Sequence, residues 1–185
     1  MSTVSFLIKA HLYAALACVL YLLACLSMAH PVLQRQYLFL HNVRFPMFAK
    51  YSEPHLYGSL VGQTRNLYIP STDNVTLGAW HYLPKAFYDA HVNELQNTQA
   101  EALNALFDEA LRMYPTYVFL HGNGLNRAAS FRVRTCSDMA QELNANVFAI
   151  DYRGYGDSTG YPTEQGVVDD AYCAVQYVRE RSRSA

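Results

Sequence analysis

Two short segments place polar residues and glycines directly after apolar runs. The first is His121-Gly122-Asn123-Gly124, which follows the run 116–120, and the second is Asp151-Tyr-Arg-Gly-Tyr-Gly-Asp-Ser158, which ends the run 146–151. An apolar run that breaks into glycines is typical of a buried parallel strand that ends in a functional loop. Such a loop can turn backbone N–H groups into a cleft, where they stabilise a negatively charged oxygen.

The first loop fits two kinds of site. A dinucleotide site would use Gly122 and Gly124 as two of its three glycines, and Asp151 ends the next strand where a ribose-binding acid would lie. The third glycine position is Arg127, whose side chain would obstruct close packing of the helix on the strand. The dinucleotide pattern is therefore weak, and no cofactor is predicted.

The second kind of site is an oxyanion hole for acyl transfer. A His-Gly-x-Gly loop after an apolar strand is typical of the loop that supplies one N–H donor in esterases and lipases. We predict the backbone of Asn123 as the first candidate donor and that of Gly124 as the second. His121 and Gly122 are the predicted substrate-binding positions, and His121 fits a structural hydrogen-bonding role better than that of a catalytic base.

Ser158 satisfies a second motif, the nucleophile pattern G-x-S-x-G, as Gly156-Asp-Ser-Thr-Gly160. A nucleophile elbow needs a strand directly before the serine and a helix directly after it. Ser158 instead lies well beyond the preceding strand, and Pro162 delays the next helix. We interpret Ser158 as a turn residue, with the nucleophile role as the alternative.

The surrounding pattern predicts the elements that position these loops. Segments 65–69 and 75–83 alternate and are rich in strand formers, with turn residues at 71–74 between them, so they predict an antiparallel hairpin. Helical spacing predicts an amphipathic helix over 93–113, a helix at about 127–143 and a last helix at about 164–182. The order predicts an α/β fold in which the hairpin leads into parallel strands.

The N-terminal region predicts a membrane anchor. Residues 10–29 carry no charge and match the ~20 residues that cross a bilayer, so we predict a transmembrane helix over 10–30 after a tail at 1–9. A cleaved signal peptide is the alternative. The aromatic-rich segment 31–62 is predicted to be juxtamembrane and to lie on the bilayer or on the domain.

Composition excludes several other classes. The 185 residues suffice for one domain plus an extension, and a net charge of -1 gives no electrostatic footprint for nucleic acid. The four cysteines and seven histidines show neither disulfide-scaffold nor metal-ligand spacing, so no metal is predicted.

Both loops, in their order and spacing, resemble the third and fourth strand-loops of an α/β-hydrolase. Within that superfamily, the apolar N-terminus and the hairpin segment 75–81 are similar to the membrane-anchored monoacylglycerol and lysophosphatidylserine lipases of the α/β-hydrolase-domain group. The resemblance covers about residues 35–183. It implies that 63–185 is the N-terminal part of the catalytic domain, ending before the nucleophile elbow, so the serine, acid and histidine of the triad would lie beyond this chain. Asp151, Asp157, Asp169 and Asp170 are then not expected to be the triad acid.

The resemblance implies a membrane-anchored serine hydrolase that acts on monoacylglycerol or lysophospholipid esters. The partners expected are a lipid bilayer and a lipid ester, in the endoplasmic reticulum with the domain on the lumenal side. The sequon at Asn74 favours the lumen, whereas the cations at Arg35, Arg44 and Lys50 favour the cytosol. Alone, the chain is expected to be inactive and poorly folded, with its last strand exposed as an apolar edge. The alternative is a non-catalytic, membrane-anchored binding protein that uses the same α/β unit.

Overall fold

The structure is a computed structural model that describes residues 3–97 and 100–183. It divides into two compact units, Met1–Phe39 and Leu40–Ala185. The first unit contains helix α1 (Thr3–Met28) and helix α2 (Pro31–Phe39). Within α1, Val4–Met28 is long and apolar enough to cross a membrane by length and composition, a property that a signal sequence shares.

Helix α1 begins before the span expected from the sequence. The expected span starts after Lys9, whereas the helix already includes Lys9 and the apolar residues that precede it. A single lysine does not end a helix, because lysine is a good helix former whose long side chain can reach towards water.

The second unit is built on one mixed four-stranded sheet. Its strands are β1 (Thr64–Pro70), β2 (Thr76–Tyr82), β3 (Thr116–Leu120) and β4 (Asn146–Ile150), in the order β1-β2-β4-β3. Strands β1 and β2 form the predicted antiparallel hairpin, β2 pairs antiparallel with β4, and β3 pairs parallel with β4. The predicted fold class, an α/β sheet in which a hairpin leads into parallel strands, is confirmed.

Four helices accompany the sheet: α3 (Lys85–Asn97), α4 (Ala100–Met113), α5 (Ser130–Glu142) and α6 (Glu164–Arg183). The single helix predicted over 93–113 is wrong, because its first residues belong to α3 and the rest to α4, with residues 98–99 outside the described part. Helix α3 was missed because the aromatic residues Phe87 and Tyr88 are adjacent and do not form a simple apolar stripe. Helix α4 buries Phe107 and Ala110, so it packs onto the domain by this face.

Strand β4 is the centre of the core, because all of its residues are buried. Phe148 and Ile150 pack in one cluster with residues of α6, whereas Val147 and Ala149 pack in another with residues of α5. The two sets alternate along the strand because successive side chains point to opposite faces of a sheet. Both faces of the central strand are therefore covered.

Strands β1 and β3 are the two edges of the sheet, whereas the last strand, β4, which the sequence analysis expected to be an exposed edge, is central. Strand β4 lies between β2 and β3 and has partners on both sides. In β3, Tyr117 and Leu120 are 45% and 43% exposed. A cleft of about 800 Å³ lies beside this edge and is lined by residues of β3, α4 and α6, among them Val118, Leu111 and Val178.

Candidate active site

The two glycine-containing loops lie at the same edge of the sheet. Strands β3 and β4 are parallel neighbours, and Leu120 at the end of one is in register with Ile150 at the end of the other. The first loop leaves β3 at His121 and leads to α5, and the second leaves β4 at Asp151 and leads to α6. Loops at the carboxyl ends of adjacent parallel strands form the usual crevice for ligands in α/β sheets.

His121 joins the two loops through its ring. The side chain is buried, its Nδ1 lies 2.6 Å from the Gly122 carbonyl oxygen, and its Nε2 lies 3.4 Å from the Tyr152 backbone nitrogen. This arrangement assigns the proton to Nδ1, which donates to Gly122, while Nε2 accepts from Tyr152. Burial lowers the pKa of His121, although the carboxylate of Asp151 acts in the opposite direction.

A neutral, buried His121 is a positioning group for the two loops. Its Nε2 lies 3.6 Å from Asp151 Oδ1, which is an ion pair only if the ring is protonated. The ring also meets Tyr152 and Tyr155 edge-on, with centroids 5.0 and 4.9 Å apart. The predicted part of His121 and Gly122 in binding substrate stays a prediction.

The first loop turns at Gly124. Gly124 has a φ of +66° and is followed by Leu125 at +60°, so two successive residues are left-handed. Gly122 does not share this conformation, and a Cβ added there would meet no atom within 4 Å. Of the two glycines, Gly124 alone has a backbone conformation that favours glycine.

Arg132 of α5 fixes the direction of the loop backbone. Its guanidinium donates to the Gly122 carbonyl at 3.2 Å and to the Gly124 carbonyl at 2.8 Å, and the side chain is buried. Both carbonyl groups are thus held towards the protein interior. The loop backbone is preorganised, as an oxyanion hole requires.

Tyr155 from the second loop distinguishes the two candidate donors. The Gly124 backbone hydrogen-bonds to the Tyr155 hydroxyl, which lies 3.4 Å from the Asn123 side-chain oxygen. Burial raises the pKa of Tyr155 to about 12, so its hydroxyl stays protonated. Asn123 is exposed whereas Gly124 is buried, and this difference favours Asn123 as the donor that a substrate could reach.

Arg127 connects the two loops with the hairpin. It donates through its backbone N–H to Asp151 Oδ1 and through Nη1 to Asp151 Oδ2, both at 2.7 Å. Its guanidinium also donates to Asp157 at 2.6 Å and to Asn66 at 2.8 Å, and it lies 4.0 Å from the centroid of the Tyr51 ring. Nearby carboxylates raise the pKa of Arg127 despite its burial.

This arrangement does not fit a dinucleotide site. Both carboxylate oxygens of Asp151 accept hydrogen bonds from Arg127, and Asp151 is fully buried. A ribose hydroxyl would have to displace that ion pair. Asp151 therefore has a structural role here, in the ion pair with Arg127.

A second ion-pair cluster holds the other end of the long loop. Arg153 donates to both carboxylate oxygens of Asp170 on α6 at 2.9–3.1 Å, and to Thr72 and Asp73 in the hairpin turn at 2.9 and 3.2 Å. The hydrogen bonds that Arg153 donates to Asp170 raise the pKa of Arg153. The two clusters fix the loop between the strand and the helix.

Ser158 is a turn residue, as predicted. Its hydroxyl donates to the Asp151 carbonyl oxygen at 2.6 Å and accepts from the Gly78 backbone N–H at 2.9 Å. Both partners are backbone groups, and the side chain is buried. A nucleophilic serine needs a base within hydrogen-bond reach, and neither partner of Ser158 is one.

The sequence analysis did not predict the roles of three residues at the site: Arg127, Arg132 and Tyr155. Arg127 was noted only as an obstacle to a dinucleotide, yet an arginine in a glycine loop followed by an aspartate after the next strand is a signal for an ion pair between loops. Arg132 and Tyr155 gave no such signal. Among the residues that the structure describes, no group of three or more His, Cys, Asp or Glu side chains could hold a metal ion.

Comparison with known proteins identifies the family. No family model matches the chain. The chain is 32% identical over 154 residues to the lysophosphatidylserine lipase ABHD12 of Xenopus tropicalis. It is 31% identical over 151 residues to the same lipase of Danio rerio. Each alignment covers 82% of this chain. The chain belongs to the α/β-hydrolase superfamily. It corresponds to the N-terminal part of an α/β-hydrolase.

The other matches also cover only part of each relative. Protein ABHD12B of Homo sapiens is 34% identical over 124 residues, which is 66% of this chain and 32% of that protein. The chain spans 37% of the length of the two lipases. In structure, it is similar to an esterase of Pyrococcus furiosus with a TM-score of 0.47 and 20% identity, covering 75% of this chain and 42% of that one.

Proposed function

We propose that this chain forms the N-terminal part of a membrane-anchored serine ester hydrolase that acts on lysophospholipids or monoacylglycerols. The observation that carries the proposal is the first loop, whose Gly122 and Gly124 carbonyls are held inward by Arg132 while Asn123 is exposed at the crevice. The related proteins are lysophosphatidylserine lipases, which supports a lipid ester as the substrate class.

In this proposal the chain stabilises charge rather than forming the covalent bond. When a serine attacks an ester carbonyl, the carbonyl oxygen becomes negative, and a backbone N–H aimed at it lowers the barrier. The Asn123 backbone supplies that donor. His121, Arg127 and Arg132 are positioning residues, since they hold the loops and lie buried.

By themselves, the 185 residues are proposed to lack hydrolase activity. The only G-x-S-x-G serine, Ser158, has both of its hydrogen bonds with backbone groups, which supports this proposal. The alternative function is that of a membrane-anchored binding protein. The exposed edge of β3 supports it, because an unpaired edge can add a strand from another chain.

The apolar helix α1 supports anchoring in a membrane, which we propose to be that of the endoplasmic reticulum. A lumenal domain is supported by Asn74, which is exposed in the hairpin turn and carries the glycosylation sequon. A glycan on Asn74 in cells, lost in the variant Asn74→Gln, would support this orientation, and an unmodified Asn74 would oppose it.

The donor role of Asn123 can be tested in a chimera. The segment of the Xenopus tropicalis lipase that matches this chain is replaced by this chain's residues, and hydrolysis of lysophosphatidylserine is measured. Asn123→Pro is expected to lower kcat by about 10²–10³-fold, because proline has no N–H and one oxyanion donor is lost.

The matched control is Asn123→Ala, which keeps the N–H and removes the side chain, including its contact with Tyr155. It is expected to retain activity close to that of the unsubstituted chimera. Equal loss of activity in both variants would assign the effect to the side chain and contradict the proposed backbone donor.

A further inference from the structure

An apolar loop protrudes from the second unit beside the candidate active site. Val43, Phe45, Met47 and Phe48, which we call the apolar tip, are 51%, 64%, 70% and 97% exposed. Four large apolar side chains within six residues form a patch of a kind that marks an interaction site on a soluble surface.

The apolar tip is fixed to the domain rather than loosely attached. The Leu125 backbone N–H donates to the Val43 carbonyl at 2.9 Å, and the Asn126 side chain donates to the Pro46 carbonyl at 3.4 Å. Phe48 has a φ of +56°, a left-handed conformation that a bulky residue adopts only where its surroundings impose it. The domain therefore holds Phe48 almost entirely in solvent.

Cations predominate in the chain around the apolar tip, and Glu53, which follows in sequence, forms an ion pair of 3.5 Å with Lys50. Residues 31–52 contain Arg35, Arg44 and Lys50 and no aspartate or glutamate. Arg44 and Lys50 are exposed on either side of the apolar side chains. Apolar and aromatic residues flanked by cations are the composition of surfaces that bind anionic bilayers, where the cations meet headgroups and the rings enter the interface.

We propose that the apolar tip inserts into the surface of a lipid bilayer and brings the candidate active site to it. The most exposed residue of the tip is Phe48, an aromatic residue of the kind that enters the bilayer interface. Only fourteen residues, 29–42, lie between Met28, the end of the candidate span, and Val43, and nine of them are in α2. That length reaches roughly 35–40 Å, so a domain anchored by α1 stays near the bilayer surface.

Insertion at this place would deliver a lipid ester to the crevice. The apolar tip is hydrogen-bonded to the loop of the candidate oxyanion donor through Leu125. A cavity of about 320 Å³ lies between the tip and the second loop and is lined by Met47, Tyr51 and Gly156 among others. The reach argument rests on the membrane anchoring in the proposed function, whereas insertion itself does not require hydrolase activity.

Tryptophan quenching in the full chain tests the proposal. The chain has one tryptophan, Trp80, which is fully buried. The variant Phe48→Trp adds a second at the apolar tip, and Tyr172→Trp adds one at a position on α6 that is 64% exposed. Each protein is reconstituted in vesicles of phosphatidylcholine and phosphatidylserine, with and without bromine on the acyl chains.

Brominated lipid is expected to quench the added emission of Phe48→Trp, with a shift to shorter wavelength, because the ring lies about 5–10 Å into the headgroup–acyl boundary. It is expected to leave the added emission of Tyr172→Trp unchanged. No quenching in Phe48→Trp overturns the proposal. Equal quenching in both variants, which general adsorption or an unfolded chain would give, also overturns it. Since no catalysis is measured, an inactive chain does not affect the result.

Discussion

Replacing Arg127 with methionine is expected to lower the free energy of unfolding by about 3–5 kcal/mol, the cost of breaking a buried ion pair by removing one partner. The fully buried Asp151 would lose the guanidinium at 2.7 Å, and Asp157 would lose its contact at 2.6 Å. The side chain of methionine fills part of the space beside Tyr51 but cannot donate a hydrogen bond. Unfolding of the full chain in detergent micelles is followed by the emission of Trp80, the only tryptophan.

The matched control is Arg134→Met, which removes an exposed arginine of α5. This variant is expected to change the free energy of unfolding by no more than about 0.5 kcal/mol, as for other surface substitutions. If Arg127→Met were as stable as the control, the ion pair with Asp151 would not hold the loops together.

The variant Gly156→Ala is expected to be destabilised by about 2–5 kcal/mol, from a left-handed backbone and overpacking together. Gly156 has a φ of +53°. A Cβ at this position would overlap Asp151 Oδ2 and lie 2.8 Å from Asp151 Cγ. Because Asp151 is held by Arg127, its carboxylate cannot move away without breaking the ion pair. The same unfolding measurement applies.

Gly122→Ala is the control for this prediction, since a Cβ there meets no atom within 4 Å and the backbone is not left-handed. Its free energy of unfolding is expected to stay within about 0.5 kcal/mol of the parent chain. Similar stabilities for the two alanine variants would show that the second loop does not need the close approach of Gly156 to Asp151.

Both predictions concern residues that hold the two loops in place rather than residues that would contact a substrate. Arg127 and Asp151 fix the two loops to each other, Arg132 fixes the carbonyls of the first loop, and His121 contacts both loops. A backbone donor is effective in an oxyanion hole only if it needs no reorientation during the reaction. The buried polar groups around the loops provide that rigidity.

The sequence was sufficient for the parts of the fold that depend on local pattern. Strand β3 was predicted with the bounds that the structure gives and β4 within one residue, because each is a short apolar run that ends in a glycine loop. The hairpin of β1 and β2 followed from alternation around a turn. The division into α3 and α4 did not follow, because the helical spacing of these two segments is compatible with one helix.

Properties that depend on distant contacts could not be predicted. The pairing of β4 between β2 and β3 buries one apolar run and exposes the other, although the two runs look alike in sequence. The two glycine-containing loops follow β3 and β4, as the sequence indicated. The contact of Arg127 with Asn66 joins residues 61 apart in the chain, and no local pattern indicates it.

The most direct test of the central claim is covalent labelling of the purified full chain with a fluorophosphonate probe. The claim is that this chain carries an oxyanion loop and that Ser158 is a turn residue bonded to the Asp151 and Gly78 backbones. The predicted result is that Ser158 carries no adduct and that the chain and its Ser158→Ala variant behave alike. Labelling of Ser158 that disappears in Ser158→Ala would make it a nucleophile and contradict the account.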